Sequence, residues 1–167
     1  MQLSGGDLRS LGRSDAVVRE TRSQADFDRV FQCLYHEDPL VVMRAADVIE
    51  KITASDPTFL QHHKKQFIRL TDTVQQKELQ WHLALLYPRF KLTTKELGAA
   101  WDKLTQWAKD KNNSRIVRVN SIQGLYGLLK NNPELVQDLL WTFTELEQEK
   151  IPSLDARIRR LRKKLTF

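Results

Sequence analysis

Four of the five X-Pro pairs punctuate this chain at regular places: Asp38-Pro39, Asp56-Pro57, Asn132-Pro133 and Ile151-Pro152. Asp or Asn before proline marks a helix start, because the side chain caps free backbone N–H groups while proline fills the first turn without losing a needed donor. Their spacing is regular. Pro57 to Pro133 is 76 residues, twice 38, and Pro39 to Pro152 is 113, three times about 38. Two independent sets of helix starts give one period, and a period of roughly 20 to 50 residues signals a repeat array.

Residues that did not define the period test it. After Pro39, apolar positions fall at Val41, Ala45, Val48 and Ile52, one face of an α-helix. Steps of 38 give Leu79, Leu83, Leu86 and Phe90, then Val117, Ser121, Gly124 and Leu128; the last step gives Leu154, Ile158, Leu161 and Leu165. The small residues of the third copy are expected to let a neighbouring helix approach. Intervening helices carry their own stripes, at Phe27, Val30, Phe31 and Leu34; at Leu60, Phe67 and Leu70; at Leu97, Trp101, Leu104 and Ala108; and at Val136, Leu139, Phe143 and Leu146. Thr93 with Glu96 fits a capping box. The expectation is four helical pairs near 24–52, 57–87, 94–130 and 133–165, with no strand alternation anywhere.

The segment "DPLVVMRAADVIEKI" resembles the second helix of a HEAT repeat, with Asp38 and Pro39 at its start, Val41 inward, then Arg44 and the small pair Ala45-Ala46. "NNSRIVRVNSIQGLYGLL" and "IPSLDARIRRLRKKL" are looser copies, and the whole chain resembles short stand-alone bacterial HEAT-repeat proteins. The resemblance implies an all-α fold, an α-α superhelix or HEAT-like solenoid of about four helical hairpins. A polar N-terminal leader, 1–23, would precede a single repeat domain, 24–167, with Leu8, Leu11, Val17 and Val18 packing onto the first pair and Gly5-Gly6-Asp7 forming a turn. Function is open at this level, because one fold serves scaffolds, adaptors and occasional enzymes.

Length and composition agree with one ordered domain: 167 residues, 41% apolar, with only 6 Gly and 5 Pro. No apolar run approaches a membrane span and the N-terminus lacks a signal-peptide core, so a soluble, cytoplasmic protein is expected. The single Cys33 reads as a core residue. A net charge of +6 favours polyanions as nonspecific partners.

The resemblance also implies that second helices line a concave binding surface. One column there reads Arg44, His82, Asn120 and Arg157, another Lys51, Arg89, Gly127 and Lys164, widened by Lys77, Arg115, Arg118 and Arg160. Arg44, His82, Arg118 and Arg157 are the candidate partner contacts. Arg157, Arg160 and Lys164 of the strongly basic last helix are the alternative polyanion contacts. Against that helix stands the segment 133–149, with Glu134, Asp138, Glu145, Glu147 and Glu149 and no Lys or Arg. The two charges are expected to cancel, leaving the basic residues as the solvated side of an amphipathic helix.

Chemistry-bearing motifs are sparse. His62 and His63 point about 100° apart on a helix and cannot form a one-face metal pair. No phosphate-binding Gly-rich loop, nucleophile elbow or Cys pair appears, so no catalytic residue, metal or cofactor is expected. Trp101, Trp107 and Trp141 on first helices, and Trp81, read as buried packing. Asp47 with Trp81, His82 and Arg44 is the nearest imitation of the HEAT-like alkylpurine DNA glycosylases, but no catalytic motif aligns residue by residue. The reading is a noncatalytic binding module or scaffold for a protein or peptide partner. The alternative is a nonspecific nucleic-acid binder using the basic C-terminal helix, with glycosylase activity a distant third.

Overall fold

The computed structural model describes residues 14–165. The expectations for Gly5-Gly6-Asp7, Leu8 and Leu11 lie outside them. Ten α-helices and no strand occur among the described residues: α1 (Ser14–Glu20), α2 (Gln24–Gln32), α3 (Pro39–Ser55), α4 (Thr58–Gln61), α5 (Lys64–Thr73), α6 (Lys77–Leu86), α7 (Thr94–Lys109), α8 (Arg115–Leu128), α9 (Val136–Glu147) and α10 (Pro152–Leu165).

The helix starts follow the capping chemistry of the sequence. Asp38 Oδ1 accepts from Leu40 N–H at 2.8 Å, with Pro39 opening α3. Asp56 Oδ1 accepts from Thr58 N–H at 2.9 Å. Thr93 and Glu96 form a reciprocal capping box at α7, and Ser23 with Asp26 does the same at α2. Asn132 behaves differently: its amide donates to the Leu128 carbonyl at 2.8 Å, closing the helix behind it. A single 3-10 turn at Pro133–Leu135 then leads into α9.

The repeating stripe is the core. Val41, Ala45, Val48, Leu83, Leu86, Val117, Leu154, Ile158 and Leu161 are all buried, and Leu165 alone of the sixteen positions is half-exposed. Each fully buried Val, Leu or Ile side chain contributes roughly 1.5–3 kcal/mol.

The chain divides into two compact units, one up to Leu83 and one from Ala84. In the first, α3 packs against α1 and α2, and Lys51 of α3 pairs with Asp15 of α1 at 2.7 Å. The single helix expected after Pro57 is divided. His63 N–H bonds to the Leu60 carbonyl at 3.0 Å, a tight i to i−3 turn that separates α4 from α5. At that turn the His63 ring stacks on Phe31, with centroids 4.0 Å apart, and its two nitrogens meet Asp28 at 2.6 Å and Gln66 at 2.8 Å.

In the second unit, α7 packs on α8, α8 on α10, and α10 on α9. Small residues set one crossing. A Cβ on Gly124 of α8 would lie 2.3 Å from the Ala84 carbonyl oxygen, and one on Gly127 would lie 2.6 Å from the Pro88 ring. Only glycine fits there.

Candidate interaction surface

Three of the expected partner contacts have no surface to offer. Arg44 is 0% exposed, and His82 and Arg118 are 2% exposed. His82 Nδ1 lies 2.6 Å from Glu50 Oε2, and its ring stacks on Trp81. Arg118 donates from Nε to the Ala108 carbonyl at 2.7 Å and from both terminal nitrogens to Glu149, at 3.0 and 2.8 Å. A charge taken from water must be paired and hydrogen-bonded, and His82 and Arg118 meet that requirement within their own unit. His82 and Arg118 thereby join elements of the fold. Asn120, in the same expected column, is buried as well.

The C-terminal residues meet another environment. Around α10, at about 100° per residue, the polar positions form two flanks on either side of the buried stripe. One carries Asp155, Arg159 and Arg162 and faces α9, where Arg162 pairs with Glu147 at 3.0 Å and sits over the Phe143 ring. The other carries Arg157, Arg160 and Lys164 and faces α8. Arg157 is half-buried and donates to Gln123 Oε1 of α8 at 3.0 Å. Burial, then the like charge of Arg160, lowers its pKa from the ordinary arginine value. Arg160 and Lys164 are exposed and have no ion-pair partner among the described residues.

The acids of the segment expected to offset α10 are sent in several directions. Among the described residues, Glu145 pairs with Lys109 of α7, Glu149 with Arg118 of α8 and Glu147 with Arg162 of α10. Three acids of one segment are distributed over three helices.

The Arg157–Gln123 bond places a second lane beside the basic flank. Spacings of three and four along α8 put Ile116, Val119, Gln123 and Tyr126 on one face. Ile116 is 47% exposed, and Val119 and Tyr126 are half-exposed. The sequence of α8 contains no Asp or Glu, and the one acid of α10, Asp155, lies on its opposite flank. An apolar lane beside a basic lane, with no carboxylate between them, suits an acidic amphipathic segment.

Other expected chemistry does not assemble. Asp47 pairs with Lys51 at 2.9 Å, and its neighbours Arg44 and His82 are buried, so the glycosylase imitation presents no open carboxylate. Among the described residues, no group of His, Cys, Asp and Glu could hold a metal ion, and no helix is long and apolar enough to cross a membrane. Trp107 is buried as expected, but Trp141 is 70% exposed. It stands opposite Leu139, Phe143 and Leu146 on α9, which the α9 stripe itself would have indicated. The Asp28–His63–Gln66 cluster was not legible, because its partners come from separate helices.

No curated protein and no solved structure gives a significant match. A family model described as a HEAT repeat domain matches residues 10–165. Repeats of this kind generally mediate protein interactions and are generally not enzymes. With that match spanning nearly the whole chain, and with buried stripes recurring on successive helical pairs, the chain belongs to the HEAT repeat domain family.

Proposed function

We propose that this protein is a noncatalytic binding module whose α8–α10 strip holds an acidic, amphipathic segment of a protein partner. The observation that carries the reading is the pairing of an apolar lane, Ile116, Val119 and Tyr126, with a basic flank, Arg157, Arg160 and Lys164, that no acid of the same strip neutralises. A preformed helical surface about 20 Å long suits helix-in-groove recognition, in which apolar anchors give affinity and charge gives orientation. Arg160 and Lys164 supply the accessible charge. Arg157 contributes from its fixed position against Gln123.

Nucleic acid is the second reading, favoured by one observation: Arg160 and Lys164 are exposed one helical turn apart, a spacing that can follow a phosphate backbone. The two readings differ in what the apolar lane does. Anisotropy titrations of a labelled Glu/Leu amphipathic peptide, a Glu-only peptide and single-stranded DNA, at about 50 and 200 mM salt, separate them. The amphipathic peptide is expected to bind best and to keep most of its affinity at the higher salt. Tighter DNA binding with a steep salt loss would replace the protein reading with the nucleic-acid one. No binding by any of the three at low salt would remove both.

A further inference from the structure

A second surface in the same unit carries the opposite chemistry. A groove of roughly 240 Å³ opens between the first turns of α7 and the turn preceding α9, lined by Leu97, Gly98, Trp101 and Leu135 with the carboxylates of Asp102 and Glu134. Its openness has a local cause. A Cβ on Gly98 would meet nothing within 4 Å, so the absent side chain leaves the gap unfilled. Farther along the two helices, Lys109 of α7 pairs with Glu145 of α9. The helices are tied there and open at the groove.

Trp141 extends from α9 at 70% exposure, less than one helical turn beyond Asp138. Asp102, Glu134 and Asp138 are exposed, none has an ion-pair partner among the described residues, and no Lys or Arg lines the groove. Unpaired carboxylates on the groove wall attract a guanidinium or ammonium group. The Leu97–Trp101–Leu135 wall accepts an apolar side chain. Together these features select a segment that is both basic and apolar, and they repel polyanions.

We propose that the α7–α9 face docks a basic amphipathic segment of a partner protein, with Arg or Lys against Asp102 and Glu134 and an apolar anchor at Gly98. The chain's own basic helix does not fit this description. Its apolar residues Leu154, Ile158 and Leu161 are buried, so α10 of a second copy would bring charge without the anchor. The proposal is independent of the α8–α10 strip.

The test is a fluorescein-labelled peptide with Arg and Leu at helical spacing, titrated with the full chain, beside the Glu/Leu peptide, whose binding belongs to the α8–α10 strip and should not respond to changes in the groove. Gly98→Leu fills the groove, meets open space and replaces a poor helix former, so its melting temperature should not fall. It is expected to weaken binding of the basic peptide by roughly tenfold or more, as is the pair Asp102→Lys with Glu134→Lys. Equal affinity of the original chain and Gly98→Leu overturns the proposal; if the charge variants alone lose binding, the attraction is general electrostatics. Concentration-dependent self-association that Gly98→Leu abolishes would assign the groove to a second copy, and would overturn it equally.

Discussion

Arg118 on α8 and Arg160 on α10 carry the same side chain on successive second helices, and they meet opposite surroundings. Arg118 is buried, with its guanidinium divided between a carbonyl and the Glu149 carboxylate. Arg160 is exposed and has no ion-pair partner among the described residues. What differs is the destination of the neighbouring acid. Glu149 follows α9 in sequence but turns to α8, so the charge expected to neutralise α10 is used to join α8 to the turn before it. A basic residue becomes structural where an acid reaches it and remains available where the acids are engaged elsewhere.

The difference can be measured as stability. Arg118→Ala leaves a largely buried Glu149 without its cation and is expected to cost about 3 kcal/mol, read as a fall in the denaturant midpoint. Gly124→Ala should cost about 2 kcal/mol, because the added methyl meets the Ala84 backbone carbonyl rather than a flexible side chain. Thr93→Ala removes a cap and should cost about 1 kcal/mol. Lys150 occupies the left-handed region, φ 51°, in the turn that presents Glu149, so Lys150→Gly should gain about 0.5 kcal/mol. Arg160→Ala with Lys164→Ala should change stability by less than about 0.5 kcal/mol. A large loss there would mean that the α10 flank is structural as well.

The same pair sets a pH dependence. The hydrogen bonds from Arg118 hold the Glu149 pKa below its ordinary value of 4.5. In the unfolded chain Glu149 takes up its proton at a higher pH than in the folded one. Its contribution is therefore fully present above the unfolded value and is lost as pH falls through the folded value. Acid titration of the unfolding free energy should show this loss in the original chain and a reduced one in Arg118→Ala.

The fold was legible because proline and capping residues fix helix starts one residue at a time, and the 38-residue stripe then fixes the inward face. Ser121 and Gly124 already announced a close approach, and the α8 backbone lies against Ala84 as a result. The site was less legible. Periodicity identifies the face that points inward, but the flanks of that face are covered or open according to which neighbouring helix contacts them, which is how Arg44, His82 and Arg118 became buried. The Pro57 helix divides at His63, where Asp28, distant in sequence, engages the ring. No local pattern contains that contact. Trp141, in contrast, was readable from the α9 stripe, since it lies opposite Leu139 and Phe143.

The most direct test is one titration of the Glu/Leu amphipathic peptide into the original chain and into Arg160→Glu with Lys164→Glu, with melting temperature recorded for both. An exposed basic flank that binds an acidic segment predicts unchanged melting and a loss of affinity of roughly tenfold or more. Unchanged affinity in the folded double variant would contradict it, and the α8–α10 strip would then be only the solvated side of a packed helix.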